Sequence, residues 1–167
     1  MTAQPVTVQS GTVHIGALTA EHAGEALTVQ RAAYVTEAQR YSAPDIPPLT
    51  ETLDELRAEI EASSVLAFGA WLGPRLVGAV RGRLDGDRME VARFVVAPDM
   101  QGRGVGRALL DAIHDAVPAT VRTLWLITGA DSVQNLRMYE RAGYRRVADR
   151  KDSVGVAITL LEKQLGH

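Results

Sequence analysis

Three apolar runs follow one another in the middle of the chain with only short turns between them. Val65–Leu72, Leu76–Leu84 and Arg88–Val96 each have the length and the apolar content of a buried strand. Gly73-Pro74 separates the first two runs and Asp85-Gly86-Asp87 separates the last two, and both are typical turn sequences. Strands joined by such short turns pair antiparallel. The sequence therefore predicts a three-stranded antiparallel meander.

Helical periodicity and further strands lie on both sides of the meander. Before it, the sequence predicts a strand, a long helix capped by Thr19, a proline-rich loop over Tyr41–Leu49 and a shorter helix. After it, we expect a helix beginning near Val105, a strand, a helix that ends before Gly143 and a closing pair of strands. This order is typical of an α+β (mixed α/β) domain with a mixed sheet. No repeat or linker divides residues 1–167, which predicts a single domain.

Composition limits the kinds of site that the chain can carry. Its 167 residues include 18 Lys and Arg against 20 Asp and Glu, and a net charge of −2 gives no general basic field for a nucleic acid or an anionic membrane. The absence of Cys excludes disulfides, thiolate metal sites and cysteine nucleophiles, and it fits a reducing cytosol. The four His residues show no metal-ligand spacing, and no apolar run is long enough to span a membrane. We expect a soluble, cytoplasmic protein that binds no metal, nucleic acid or membrane.

A glycine-dense segment, Gln101–Arg107, lies between the third run of the meander and an amphipathic helix. Gly102, Gly104 and Gly106 alternate, so the backbone can turn tightly and bring its N–H groups close to a ligand. The positive end of the helix dipole falls at the same place and favours a phosphate group. The third glycine of the dinucleotide fingerprint and the Gly-Lys-Ser/Thr of a P-loop are both missing. For this segment alone, a glycine-rich packing turn is the plainer alternative.

Two motifs follow one another in this part of the chain. Gln101, Gly104 and Gly106 form the pattern Gln-x-x-Gly-x-Gly, and Tyr139–Tyr144 reads Tyr-Glu-Arg-Ala-Gly-Tyr. Both match signatures of the GNAT superfamily of N-acetyltransferases, which the chain therefore resembles. The resemblance implies a GNAT-like fold, with a central mixed, mostly antiparallel sheet of about six to seven strands flanked by about four helices. It also implies acetyl-CoA as the cosubstrate and direct transfer of the acetyl group to a primary amine.

The resemblance further assigns residues to the cofactor, with its pyrophosphate at the glycine-dense segment. The family often has an Asn seven residues before the motif tyrosine to bind the pantetheine arm, and this chain has Ser132 there. Asn135, one helical turn later, is the candidate replacement, with a solvent-facing helix residue as the alternative. The expected cofactor-binding residues are Phe94, Val95, Val96, Gln101, Gly102, Arg103, Gly104, Val105, Gly106, Arg107 and Asn135.

Direct attack by an amine needs a donor for the departing thiolate and a donor for the developing oxyanion. Tyr139 is the candidate for the thiolate, because a phenol can donate to sulfur and the family uses a tyrosine at this place in its motif. A core aromatic residue is the alternative for Tyr139. For the oxyanion, the resemblance implies a backbone N–H around Val95 and Val96, where the family's strand is bulged.

The amine must also lose a proton, and Glu90 is the candidate base. It interrupts an apolar strand, and strict alternation would place it on the same face as Phe94 and Val96. It also precedes Gln101 by eleven positions, the separation at which some lysine-acetylating members of the family carry a glutamate base. An ion pair across the sheet is the alternative for this carboxylate. The arginines that can form it are Arg81, Arg83 and Arg93.

The acceptor amine is left open by the sequence. The resemblance places the acceptor side at the first two helices and their loop, Gln30–Ile60. This region contains acidic residues that would favour a cationic amine, although solubility alone also selects such residues. They are Asp45, Glu51, Asp54 and Glu55. A small-molecule amine and a protein lysine or N-terminus both fit.

Two other functions are compatible with parts of the pattern. One is a catalytically silent module that binds CoA or acyl-CoA as a sensor, and the other is a nucleotide-binding oxidoreductase domain. The resemblance also bears on assembly, because family members often dimerise and sometimes do so through C-terminal strands. The apolar segment Val154–Leu161 is therefore a candidate homodimer interface.

Overall fold

The computed structural model of the protein describes residues 6–8 and 11–166. The strands of this part are β1 (Val6–Val8), β2 (Gly11–Ala17), β3 (Val65–Leu72), β4 (Arg75–Asp85), β5 (Arg88–Val96), β6 (Thr123–Gly129), β7 (Arg145–Lys151) and β8 (Ala157–Gln164). The helices are α1 (Ala23–Arg40), α2 (Pro47–Thr50), α3 (Leu53–Glu61), α4 (Val105–Asp115) and α5 (Val133–Arg141). Within this part of the chain, no helix has both the length and the apolar character needed to cross a membrane.

All eight strands belong to one sheet with the order β1-β2-β3-β4-β5-β6-β8-β7. Neighbouring strands are antiparallel except β5 and β6, which are parallel. The predicted mixed, mostly antiparallel sheet and its central meander are therefore confirmed. The three-residue β1 and the single-turn α2 are additional to the predicted elements. Helix α2 forms inside the predicted loop because Pro47 and Pro48 occupy its first turn, where a missing N–H costs no hydrogen bond.

Helices cover the two faces of the sheet in separate groups. Helices α4 and α5 pack on one face, which we call the α4 face, and α1 and α3 pack on the other, the α1 face. Glycines of β4 let α4 approach closely, because a Cβ at Gly78 would lie 2.8 Å from Leu109 and one at Gly82 would lie 3.1 Å from Ile113. The beginning of α4 is thereby held directly against the central strands.

Strand β5 contains one residue more than its partner at a single point. Val80 of β4 lies opposite two residues, Arg93 and Phe94, so the register shifts between Ala92 and Val95. Arg93 has a φ of 49°, in the left-handed region that residues other than glycine seldom occupy. This geometry is that of a β-bulge.

The bulge changes which side chains share a face of the sheet. Met89 packs against α4 before the bulge, and Phe94 and Val96 pack against the same helix after it. Glu90 therefore points to the α1 face. The prediction that Glu90 shares a face with Phe94 and Val96 is wrong, because the extra residue at Arg93 reverses the alternation on which that prediction depended.

The closing strands place the candidate dimer segment inside the sheet. Most of Val154–Leu161 belongs to β8, which is hydrogen-bonded to β6 on one side and to β7 on the other. Leu161 is fully buried in the core. Burial within the chain therefore accounts for part of the apolar character of this segment, and Val154 is exposed. The open edge beside it is β7, whose residues are mostly exposed and charged.

Candidate functional site

A gap opens between β5 and β6 part-way along the two strands. They pair only over Arg88–Glu90 and Thr123–Trp125. Beyond this point β6 stays paired with β8, and β5 stays paired with β4. The last six residues of β5, Val91–Val96, thus have no partner on their β6 side among the residues that the structure describes. We call this opening the gap; its closed end is at Glu90 and Trp125.

The backbone of Val96 faces the gap. The N–H of Ala97 donates to the carbonyl of Val77 on β4 at 2.8 Å, and Val95 is in register with Ala79. Because successive residues of a strand direct their N–H groups to opposite sides, Val96 directs its N–H group away from β4. Gln101 Nε2 donates to the Val96 carbonyl, which points the same way, at 3.2 Å. Of the two residues proposed for the oxyanion donor, Val96 is thus the one that faces the gap.

The glycine-dense segment forms a turn at the beginning of α4, beside the gap. Gly102 and Gly104 have φ values of 73° and 88°, which favour glycine. No side chain caps the helix, and the first intrahelical bond runs from the Ala108 N–H to the Gly104 carbonyl. The N–H groups before Ala108 are therefore available to an anion. Gly106 lies over β5, where a Cβ would be 3.2 Å from Phe94.

The other residues expected to bind the cofactor occupy varied positions. Gln101 and Arg107 are exposed, and Arg107 pairs with Asp111 on the next turn at 3.2 Å. Arg103 is half-buried, and the Val105 side chain is buried in the core. Asn135 lies on the exposed face of α5, as its alternative interpretation required. The structure therefore brings the backbone of the turn and the end of β5 together, and leaves Asn135 in solvent.

Ser132, at the position of the family's Asn, faces α1 rather than solvent. Its hydroxyl accepts a hydrogen bond from Arg40 at 3.0 Å and donates to Glu37 at 3.1 Å. It precedes α5 but caps no N–H group of that helix. The side chain therefore ties the beginning of α5 to the end of α1.

Tyr139 lies near the end of α5 and is packed between two aromatic rings. Its ring centroid is 6.1 Å from that of Phe94 and 5.9 Å from that of Tyr144, both in edge-to-face arrangements. Only 5% of the residue is exposed. Burial raises the pKa of the Tyr139 phenol well above its ordinary value, and the nearby Tyr34 and Glu37 add to this effect. The phenol is therefore a neutral hydrogen-bond donor at physiological pH.

A polar stripe of α1, which is not among the residues predicted from the sequence, faces the open end of the gap. Tyr34, Glu37 and Tyr41 recur at helical spacing on this face. Glu37 accepts from Ser132, and the Tyr41 hydroxyl accepts from the N–H of Asp131 at 2.8 Å. Burial raises the pKa of Tyr34. Their i, i+3, i+7 spacing is the signal that would have identified them.

A cluster of ion pairs fills the α1 face between the sheet and helices α1–α3. At its centre, Arg81 donates to Glu51 at 2.8 and 3.0 Å and to the side-chain oxygen Oε1 of Gln30 at 2.9 Å. Arg81 is 3% exposed and Glu51 is 8% exposed. Burial alone raises the pKa of Glu51, but hydrogen bonds from Arg81 and Gln30 outweigh it and lower the pKa to about 2. We call this set of side chains, with Arg83, Arg93, Glu59 and Glu90, the arginine cluster.

The candidate base Glu90 is a member of this cluster. Arg83 donates to Glu90 at 3.1 Å and also pairs with Glu59. Burial lowers the pKa of Arg83, but the bonds to Glu59 and the charges of Glu59 and Glu90 outweigh it and raise the pKa. The ion pair that was the alternative for Glu90 is therefore present. Its role as a base stays a prediction.

The acidic residues of the α2–α3 region do not form an acidic surface at the gap. Glu51 is buried against Arg81, and Glu55 accepts from the Thr52 N–H in a capping box. Asp54 is 95% exposed and pairs with Arg57, and Asp45 is also exposed. The carboxylates that suggested a cationic acceptor are thus neutralised, used in local structure or directed to solvent. In the described part of the chain, no group of acidic or histidine side chains is arranged to hold a metal ion.

A model of the acetyltransferase (GNAT) family matches residues 31–144. The chain belongs to this family. The match includes the gap, the turn before α4 and Tyr139, so the resemblance stated from the two motifs is confirmed. An acyltransferase that uses acetyl-CoA agrees with this membership. The oxidoreductase alternative is wrong, because the sheet has one parallel pair and lacks the doubly wound order of dinucleotide-binding folds.

Relatives and solved structures agree with the family. The UPF0157 protein YqkA of Bacillus subtilis is 25% identical over 138 residues, which are 83% of this chain and 39% of that protein. The uncharacterized N-acetyltransferase YvbK of the same organism is 31% identical over 80 residues, or 47% of this chain and 52% of that protein. This chain thus spans about half or less of the length of these curated relatives.

The fold is also that of solved members of the family. The PaiA N-acetyltransferase from Thermoplasma acidophilum, crystallised in complex with coenzyme A, superposes with a TM-score of 0.73 at 18% identity. The match covers 92% of this chain and 99% of that one. The predicted GNAT-like fold class is therefore confirmed.

Proposed function

We propose that this chain is an N-acetyltransferase that moves the acetyl group of acetyl-CoA directly to a primary amine. The observation that carries the proposal is the uncapped beginning of α4 beside the gap between β5 and β6, in a member of the GNAT family. The turn before α4 suits the pyrophosphate of CoA, and the gap suits its extended pantetheine arm. Direct attack by the amine needs no enzyme thiol, which agrees with the absence of Cys from the chain.

The cofactor residues follow from this placement. The backbone of Gly102–Arg107 holds the pyrophosphate, with Gln101, Arg103 and Arg107 at its rim. The end of β5, Phe94–Val96, lines the slot for the pantetheine arm. Gly106 lies where the turn meets the slot. It packs against Phe94, and its lack of a side chain leaves room there for the cofactor. Asn135 binds the arm only if its exposed side chain turns toward the gap.

Two donors then act on the thioester, which supplies an activated acetyl group. The Val96 N–H faces the gap and stabilises negative charge on the carbonyl oxygen. The Tyr139 phenol is kept protonated by burial and donates a hydrogen bond to the departing sulfur. In this proposal the reacting carbon lies between Val96 on β5 and Tyr139 on α5.

The amine enters the gap from its α1 side, because the cofactor turn lies on the α4 side. Glu90 lies at the closed end of the gap on the α1 face, and water can pass the proton of the amine to it or to bulk solvent. Arg83 pairs with this carboxylate at 3.1 Å and occupies one of its oxygens.

Assembly and location complete the proposal. We propose a single domain over residues 1–167 that acts in the cytoplasm and binds neither nucleic acid nor membrane; the net charge of −2 supports this. The homodimer expected from family habit is tested by light scattering of the purified chain. Because β7, the edge strand beside Val154–Leu161, is charged, a dimer contact through helices fits better than strand pairing at that edge.

The experiment that tests the proposal is free-thiol release from acetyl-CoA, with panels of small amines and of lysine and N-terminal peptides as acceptors. Calorimetric binding of CoA is measured on the same sample. Binding with turnover on any amine supports an acetyltransferase, and binding without turnover on any acceptor supports the sensor alternative. Absence of CoA binding contradicts the assignment of the turn before α4.

A further inference from the structure

One guanidinium of the arginine cluster lacks the hydrogen bonds that the others have. Arg81 donates four hydrogen bonds and Arg83 donates three. Arg93 donates none to the described residues, and its buried Nε has no acceptor. Its nearest carboxylate oxygen, on Glu51, is 3.5 Å away and already accepts from Arg81 and Gln30. Arg93 thus keeps unused donors in a place where unused donors are costly.

The backbone of Arg93 is also unusual. It is the extra residue of the β5 bulge, with a φ of 49°. A bulky residue persists in this region only where the surrounding structure requires it, and such residues cluster at binding sites. The bulge turns the side chain toward Tyr34 and Glu51 on the α1 face. There the side chain is 18% exposed, so it is partly open to solvent although its Nε is buried.

The place of Arg93 along the gap limits what it can bind. It precedes Val96 by three positions, on the order of 10 Å at the rise of a strand. Its side chain lies on the face from which the acceptor enters in the proposed function. A group bound to this guanidinium therefore belongs to the acceptor and lies a short distance from the acceptor's amine. Within the arginine cluster no carboxylate is free to suit a polyamine, because Glu51, Glu59 and Glu90 are all paired. Glu37, which accepts from Ser132, lies on α1 at the open end of the gap rather than in this cluster.

We propose that Arg93 binds a carboxylate of the acceptor, and that the acceptor is a compact molecule with both a primary amine and a carboxylate, such as a free amino acid. This inference rests on the proposed acetyl transfer. A carboxylate accepts two parallel hydrogen bonds from the fork of an arginine, which supplies the partners that the chain does not provide. Anchored in this way, the acceptor directs its amine along β5 toward Val96.

The first test uses the unmodified protein. The twenty common L-amino acids and their α-amides are compared as acceptors by free-thiol release from acetyl-CoA. We expect at least one amino acid to be acetylated with a kcat/KM about 10- to 100-fold above that of its amide, because the amide lacks the charge that Arg93 binds. Equal rates for every pair, or no acetylation of any amino acid, would overturn the inference. Turnover of polyamines or peptides would then leave the acetyltransferase proposal standing.

The second test assigns the preference to Arg93. In Arg93→Gln, KM for the preferred amino acid should rise about 10- to 100-fold while its amide and the affinity for CoA change less than about 2-fold. The KM of Arg93→Lys for the preferred amino acid should lie between those of the unmodified protein and Arg93→Gln, since lysine keeps the charge but lacks the forked guanidinium. Arg57→Gln removes an exposed arginine of α3 and is the matched control, with the preference unchanged. Equal losses for amino acid and amide in a folded Arg93→Gln would place Arg93 against acetyl-CoA instead and refute the inference. Melting temperatures establish folding, and the comparison in the unmodified protein stands independently of them.

Discussion

The two faces of the gap are built from different kinds of interaction. On the α4 face, the turn before α4 is held by backbone geometry, by glycines and by apolar packing of Phe94 and Val96. On the α1 face, the sheet meets its helices through the arginine cluster, whose buried members Arg81 and Glu51 are fixed by charge and hydrogen bonds.

Because of this difference, the residues of only one face can be identified from local sequence patterns. The residues of the turn are neighbours in the chain, and their spacing alone identifies them. Arg81 is 30 positions from Glu51 and 51 positions from Gln30, and no local pattern joins them. We expect the turn on the α4 face to tolerate side-chain substitutions that keep its backbone conformation. We expect the arginine cluster on the α1 face to be sensitive to changes of its charged side chains.

The largest expected effect comes from changing the conformation and charge of the turn. Gly104→Asp introduces a side chain where φ is 88° and a negative charge where the pyrophosphate is proposed to bind. We expect affinity for CoA to fall about 1000-fold or more by calorimetry. Gly86→Asp is the control, since Gly86 also has a positive φ, 60°, and an open surrounding, but lies in the β4–β5 turn. Similar affinities for the two variants would contradict the assignment.

The next effect is on the ion pairs of the α1 face. Glu51→Gln keeps the shape of the side chain but leaves Arg81 without its principal counter-charge. We expect a loss of about 3 kcal/mol in the free energy of unfolding by urea denaturation. Asp54→Asn removes an exposed carboxylate of the same region and should change it by less than about 0.5 kcal/mol. If both variants are equally stable, the cluster does not hold this face.

Tyr139→Phe tests whether the α4 face contributes a donor as well as a binding turn. We expect kcat to fall about 10- to 50-fold, with the Kd for CoA within about 2-fold, because the phenol acts on the leaving group rather than on the bound cofactor. Tyr144→Phe is matched in chemistry and packs against Tyr139, yet its hydroxyl bonds to His114 at 2.8 Å. It should keep its turnover. A Tyr139→Phe protein with unchanged kcat would remove the proposed role.

The two faces should also lose stability in different ranges of pH. On α4, burial and the charge of Lys163 lower the pKa of His114 to about 4, so the folded state favours the neutral ring. Its contribution is complete above pH 6.5 and is lost as the pH falls toward 4; we expect about 1–2 kcal/mol by urea unfolding. Glu51, with a pKa of about 2, contributes only to the loss between about pH 4.5 and 2. In His114→Gln, the loss of stability between about pH 6.5 and 4 should disappear, and the loss between about pH 4.5 and 2 should persist.

The smallest expected effect concerns Glu90. Because Arg83 holds this carboxylate on the α1 face, Glu90→Gln should lower kcat/KM by less than about 3-fold at neutral pH, with water accepting the proton. A loss above about 100-fold, together with a displaced acidic limb of the pH–rate profile, would establish Glu90 as the base.

The sequence predicted the fold and the turn before α4 better than the α1 face of the sheet, and the bulge shows why. The meander, the helix after the glycines and the Gly143 cap follow from local periodicity and turn chemistry, and each is present. The placement of Glu90 failed because one inserted residue, Arg93, reverses the faces of β5. No propensity marks an arginine for a left-handed conformation, so neither the bulge position nor the partners of Glu51 could be derived before the strands were paired.

The charged edge strand β7 has a consequence for the behaviour of the protein at high concentration. Four of its seven residues are basic and one is acidic, namely Arg145, Arg146, Arg150, Lys151 and Asp149. A second chain that added a strand here would have to bring its own backbone against several like charges and strip them of water. The sheet can thus end in an open edge without seeding fibrils, and partly unfolded chains are expected to aggregate through their apolar interior rather than by growth from this border.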